Sequence, residues 1–239
     1  MRVVSLVPSL TEAIARSAPG ALVGATDWCT HPADLDVTRI GGTKNPKLDR
    51  IVALAPDLVI ANEEENREPD LAALREAGLE VLVTEVRDVP QAFRELARVV
   101  TACGVPVRPR WLDEAEEAWS VLPADEHRVT AVVPIWRRPW MVLGSDTFAG
   151  DVLSRLGVDH LYTGHGDRYP KVPLEELRAA APDVVVLPDE PYAFTPDDGP
   201  EAFPGLPCAL VSGRHLTWYG PSLAEAPRAL GEALRAALR

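Results

Sequence analysis

Trp28, Trp136, Trp140, Tyr169, Trp218 and Tyr219 are large aromatic residues in segments broken by Pro and Gly. Such punctuation marks loops, whereas a core aromatic is expected on a periodic strand or helix. ATDWCTHP carries the first, VVPIWRRPWMVLG the next two, HGDRYPKV the fourth and HLTWYGPS the last pair. Aromatic loops make no bonds in a substrate. They stack on ligands that are large, flat and partly apolar. Arg137, Arg138 and Arg168 lie beside them and would suit an anionic ligand. Cys29 and His31 are both metal-ligand types. A lone C-x-H pair makes no complete site, and His127, His160, His165 and His215 lack H-x-x-x-H or C-x-x-C company. No resident metal is therefore expected, although Cys29 or His31 could meet a metal already held in a chelate. Asp27, Cys29 and His31 could be cast as a catalytic set, but triads assemble from distant segments. G-x-S-x-G, G-x-x-x-x-G-K-[ST] and G-x-G-x-x-G after the first strand are all missing. No enzymatic activity and no covalent cofactor are expected.

Elements must hold these loops in place. Short, continuous apolar runs alternate with amphipathic stretches, which suits buried parallel strands joined by crossover helices. In the first half, Val3 to Val7, Leu22 to Ala25, Leu58 to Ala61 and Val81 to Thr84 read as strands. Helices are expected near residues 11–17, 49–55, 69–77 and 90–103. In the second half, Val129 to Val133, Val184 to Leu187 and Ala209 to Val211 read as strands. Helices are expected near residues 147–156, 174–181 and 222–238. Pro8 follows the first strand, and Ser9 with Glu12 reads as a capping box whose helix amides would face a polar ligand group. The run Glu63-Glu64-Glu65 reads as a solvated loop.

The two halves echo each other. Pro8 and Pro134 both follow apolar strands, 126 positions apart, and Ala55-Pro56-Asp57 recurs as Ala181-Pro182-Asp183 at the same offset. This predicts a duplicated α/β lobe, with residues 1–105 and 128–239 as the two copies. Each copy is Rossmann-like, with a mainly parallel sheet. Residues 106–127 lie between. Trp111, Leu112, Ala115, Ala118, Trp119 and Leu122 recur there at helical spacing between Pro109 and Pro123. One long helix joining the lobes is expected, and the aromatic loops would line a cleft between them.

Composition narrows the partners. The 239 residues carry 24 Lys+Arg against 36 Asp+Glu, a net charge of −12, so no basic nucleic-acid footprint exists. No apolar run approaches the ~18 residues that span a bilayer, so membrane insertion is not expected. Three scattered cysteines make no disulfide framework. Pro, at 23 residues, is about twice as frequent as average. Met1-Arg2 leads directly into a strand-like run rather than the basic and apolar regions of a signal peptide. As written, the sequence points to the cytoplasm. With a leader ahead of it, the protein would be periplasmic or held outside the membrane.

The segments RVVSLVPSLTE, LVGATDWCTHP, IGGTKNPKLDRIVALAPDLVIA and AAPDVVVLP resemble the helical-backbone substrate-binding proteins of ABC importers for cobalamin, haem and ferric siderophores. The resemblance covers essentially the whole chain and is nearest to the cobalamin-binding branch. It implies two α/β lobes joined by one long helix, a monomer, and no catalysis. It implies that Trp28 and Tyr169 stack on a corrin ring and that Trp136, Trp140, Trp218 and Tyr219 face the cleft. Thr43 stands where that branch can carry a Trp. Asp49, in KLDRI, and Glu175, in PLEEL, match the two carboxylates through which such proteins dock to permease arginines. The expected ligand set is thus Pro8, Ser9, Trp28, His31, Thr43, Trp136, Arg137, Trp140, Tyr169, Trp218 and Tyr219. The ligand is a metal chelate for ABC-type uptake: a cobalamin-like corrinoid first, a ferric siderophore or haem next. The alternative is a cytoplasmic enzyme, sensor or storage protein for such chelates on the same scaffold, with His31, Cys29 or Asp27 doing any chemistry.

Overall fold

A computed structural model describes residues 1–122 and 128–239. Pro123, the expected end of the joining helix, and His127 lie outside the described residues. The chain divides into two compact units. The first is Met1–Val86, Pro90–Glu114 and Tyr219–Pro221; the second is Arg87–Val89, Ala115–Trp218 and Ser222–Arg239.

In chain order the first unit contains β1 (Val3–Ser5), α1 (Pro8–Ser17), β2 (Leu22–Ala25), β3 (Thr38–Arg39), α2 (Leu48–Ala53), β4 (Leu58–Asn62), α3 (Glu68–Glu76) and β5 (Val81–Thr84). Most of α4 (Val89–Ala102) belongs to it, as does the start of α5 (Arg110–Ser120). The sheet is parallel throughout, in the order β3-β2-β1-β4-β5. Every residue of β4 is buried, as a central parallel strand covered on both faces requires. The core joins Val4, Leu6, Ile40, Ile51, Val59, Ala61, Leu71 and Leu74.

The second unit holds β6 (Val129–Val132), β7 (Pro134–Arg137), β8 (Trp140–Val142), α6 (Phe148–Arg155), β9 (Val158–His160), α7 (Leu174–Ala179), β10 (Val184–Pro188), β11 (Cys208–Val211), α8 (Gly213–Thr217) and α9 (Ala226–Ala237). Its four-stranded sheet is also parallel, ordered β11-β10-β6-β9. Matched at the 126-residue offset, β6 answers to β1, β10 to β4 and α7 to α2. The order β9-β6-β10-β11 therefore repeats β2-β1-β4-β5. The fold is α/β with two sets of parallel strands, each built around one copy of the repeat.

Helix α5 passes from one unit to the other, the division falling between Glu114 and Ala115. A tryptophan anchors each end. The Trp111 indole donates to Ser17 Oγ at 3.0 Å within the first unit. The Trp119 indole donates to the Leu223 carbonyl at 2.9 Å within the second.

Two expectations are corrected by the structure, and three short elements went unread. Helix α1 starts at Pro8, with Val7 as its N-cap and no side-chain cap. Proline's fixed φ favours the first helical position; this puts Ser9 and Glu12 inside the helix, so they form no capping box. Trp136 and Trp140 are on an antiparallel hairpin and not in a loop. Its turn is Arg138-Pro139, which lacks the Gly or Asn that usually announces a tight hairpin. β3 and β9 went unread because two and three residues are too short for a period to show. Helix α8, of five residues, escaped for the same reason.

Candidate functional site

In open parallel sheets, ligands bind beyond the carboxyl ends of the strands where the strand order switches direction. The first unit switches between β1 and β4. Pro8 and Ser9 follow β1 there. Gly220 comes so close to Ser9 that a Cβ would stand 2.9 Å from the Ser9 carbonyl oxygen, and this brings buried Tyr219 to the same end of the sheet.

Trp28 follows β2 and is 66% exposed, far more than a packing residue needs. Its indole lies over Gly42, where a Cβ would be 3.4 Å from Nε1, and so beside Thr43. The loop beneath it is built, not slack. Arg39 donates to the carbonyls of Thr26 at 3.0 Å and Cys29 at 2.8 Å. Asn66 donates to the Thr43 carbonyl at 3.1 Å and the Leu6 carbonyl at 3.4 Å. Asn62 in turn donates to Thr84 Oγ1 at 3.1 Å and accepts the Glu64 amide at 2.9 Å. The two asparagines bind the loops after β1, β3 and β4 into one rim. Sequence reasoning missed Arg39, Asn62 and Asn66 because most of their partners lie ten or more residues away along the chain.

Cys29 and His31 have different surroundings. Cys29 is fully buried, its sulfur 3.0 Å from Thr11 Oγ1 and 3.1 Å from Thr26 Oγ1. Burial raises its thiol pKa, outweighing those hydrogen bonds and the charge of Arg39. A thiol kept protonated is neither nucleophile nor ligand. His31 is half-buried, with Nδ1 3.1 Å from Thr30 Oγ1. Among the described residues no three His, Cys, Asp or Glu side chains are grouped to hold a metal ion.

The second unit switches between β6 and β10. The β7–β8 hairpin follows β6, and residues 189–203 follow β10. Between them runs a continuous chain of rings. Trp136 meets Tyr192 edge-on at 5.7 Å, Tyr192 meets Phe194 at 4.7 Å, and Phe194 stacks on Trp140 at 6.1 Å. Trp140 also packs against buried Phe203 at 5.5 Å. Trp136 is 42% exposed at the outer end, so the chain presents one free aromatic face on a rigid base. Tyr192 and Phe194 were missed because residues 189–203 carry no period.

Arg137 lies under this chain, its guanidinium 5.5 Å from the Trp140 ring. It is paired with both Asp198 and Glu201. The pKa of Glu201 is lowered, first by the Gly199 amide at 2.5 Å and then by Arg137. Tyr169 is half-buried, with Arg168 over its ring at 5.8 Å. Its loop is sewn to β8 and the residues that follow: the Gly144 amide donates to the Arg168 carbonyl at 2.7 Å, and a Cβ on Gly144 would be 2.1 Å from the Asp167 carbonyl oxygen. Only glycine fits there. Trp218 is buried, and its indole donates to Glu190 at 2.8 Å. That position anchors α8 rather than offering a ring.

Asp49 and Glu175 are exposed, each on the first turn of its helix, α2 and α7. They occupy matching places in the two copies of the repeat.

Comparison with known proteins places this geometry. The sequence pattern of the family described as "Periplasmic binding protein" matches residues 3–198. A vitamin B12-binding protein from Pectobacterium atrosepticum is 23% identical over 198 residues, covering 78% of this chain and 71% of that protein. The solved structure of the periplasmic heme-binding protein RhuT from Roseiflexus sp. RS-1 has a TM-score of 0.84 at 21% identity, covering 100% of this chain and 99% of that one. The vitamin B12-binding protein BtuF of Vibrio cholerae has a TM-score of 0.75 at 17% identity, covering 100% and 98%.

Proposed function

The chain belongs to the periplasmic binding protein family, and we propose that, as a member, it captures a metal chelate and delivers it to an ABC-type permease. A cobalamin-like corrinoid is the first candidate, with haem and ferric siderophores next. The observation that carries the reading is the pair of exposed tryptophans, Trp28 and Trp136. Each stands at the strand-order switch end of its own unit on a loop or hairpin held rigid from beneath. An exposed aromatic ring on a fixed base is pre-organised to stack on a flat, partly apolar ligand. In this reading the chelate is held by stacking on these exposed rings. Pro8, Ser9, His31, Thr43, Tyr169 and Tyr219 complete the lining, with the polar groups orienting the ligand.

Binding and release are enough, and no residue is asked to exchange a bond. Burial of Cys29, which raises its thiol pKa, counts against that thiol as a nucleophile. Asp49 and Glu175 support docking by one carboxylate per unit. The protein would work outside the cytoplasmic membrane, the setting its family is named for. Among the described residues no helix is long and apolar enough to cross a membrane. Gel filtration of the protein mixed with cobalamin or haem tests the reading: co-elution of the chromophore with the protein supports it. Clean separation from each chelate, ferric siderophores included, overturns it.

A further inference from the structure

The two hairpin arginines read from sequence as an anion site. The folded unit uses Arg137 differently. Both of its terminal nitrogens are taken, one by Asp198 and one by Glu201, and its side chain is only 17% exposed. The carboxylates are themselves fixed. Tyr192 donates its hydroxyl to Asp198 Oδ2 at 2.6 Å, and Glu201 Oε2 accepts the Gly199 amide at 2.5 Å. An incoming carboxylate would have to displace one of them and then sit beside it. Like charges at that range oppose binding.

The other cations near this loop are exposed or engaged, and Arg178 donates from Nε to the Ala202 carbonyl at 2.6 Å. Arg138 is exposed, where an ion pair contributes little. Arg168 donates to the Asp146 carbonyl at 2.9 Å while lying over Tyr169. Residues 189–203 carry five carboxylates and no Lys or Arg, against the two arginines of the hairpin. The exposed Trp136 ring thus stands beside a loop with an excess of carboxylates.

We propose, on the reading that this aromatic face holds the chelate, that Asp198 and Glu201 set the charge class it accepts: neutral or cationic chelates are admitted and dianionic ones opposed. Among tetrapyrroles this favours a corrinoid edged with amides over haem with its two propionates.

The test is binding of cyanocobalamin (neutral), cobinamide (a cation) and haem at low and moderate salt. Wild type is compared with Asp198→Asn, Glu201→Gln and the double variant. Wild type should prefer both corrinoids to haem. The double variant frees Arg137 and should tighten haem binding by about tenfold at low salt, leaving cyanocobalamin within about twofold. Glu201→Gln alone keeps the Asp198–Tyr192 bond and should move haem the same way by a smaller factor, which covers the case of a double variant that does not fold. An unchanged haem-to-corrinoid ratio in a folded variant overturns the proposal, as does a wild type that prefers haem; both leave chelate capture standing. Wild type that binds none of the three and no ferric siderophore overturns chelate capture, and this proposal with it.

Discussion

Ala55 and Ala181 stand 126 positions apart and share one unusual backbone conformation, with φ of 44° and 45°. Each precedes a Pro-Asp pair. Asp57 accepts the Arg2 amide at 2.6 Å, and Asp183 accepts the Thr130 amide at 2.7 Å. In each unit the aspartate thereby ties the turn before the second repeat strand, β4 or β10, to the start of the first, β1 or β6. A left-handed alanine is strained by its own Cβ, at a cost of about 1–2 kcal/mol. Glycine removes that strain but frees the unfolded chain. Ala55→Gly and Ala181→Gly should each stabilise the protein by about 0.5–1 kcal/mol, read by urea unfolding. A loss of 1 kcal/mol or more in either would contradict the account of the turn.

Trp218 and Trp136 separate two uses of one residue type. Trp218 is buried and bonded to Glu190, whereas Trp136 is open at the end of its ring chain. Trp218→Phe leaves Glu190 without that donor and should cost about 1–3 kcal/mol of stability with little direct effect on the ligand. Trp136→Ala should show the reverse pattern: a small stability change and a large loss of affinity. Thermal melts with and without ligand distinguish the two, and matching patterns would undo the distinction.

Much of this was legible in advance. The A-P-D repeat exposed the duplication because a strained turn demands the same residues each time it is built. Long apolar runs gave β4 and β10, central parallel strands buried along their whole length. Trp28 and Trp136 stood out as aromatics in segments where a core has no claim. What was hidden depends on contacts distant in sequence. Arg39 grips the carbonyls of Thr26 and Cys29, Asn66 those of Leu6 and Thr43, and Glu190 the indole of Trp218. Composition suggested that Arg137 was available to an anion, and only the folded loop of residues 189–203 shows it paired.

His160 links stability to pH. Its ring is buried in the second unit, with Nδ1 lacking a hydrogen-bond partner among the described residues and Gly150 packed against Nε2. Burial lowers its pKa from the usual 6.5, against the opposing pull of Asp159 and the Leu143 backbone. A histidine with a depressed folded pKa binds protons more readily when unfolded. Its contribution is therefore fully present above about pH 6.5 and lost as pH falls through the folded value. The gap in urea stability between wild type and His160→Asn should shrink as pH falls from 7.5 to 5.5. A gap that is constant or widens would show that His160 is not the group responsible.

Asp49 and Glu175 should matter for delivery and not for capture. They are exposed on matching helices, α2 and α7. Reversing either charge, as Asp49→Arg or Glu175→Arg, should weaken docking to the cognate permease by about tenfold while ligand affinity stays within about twofold. Docking that survives both reversals would remove these helices from the interface.

The most direct test of the central claim is a titration of intrinsic tryptophan fluorescence, corrected for the inner-filter effect, with cobalamin, cobinamide, haem and ferric siderophores added separately. The account predicts saturable quenching by one class at micromolar concentration or tighter. It also predicts that Trp28→Ala and Trp136→Ala each weaken that binding by about 1–3 kcal/mol. No saturable response to any of these chelates, or unchanged affinity in both variants, would contradict it.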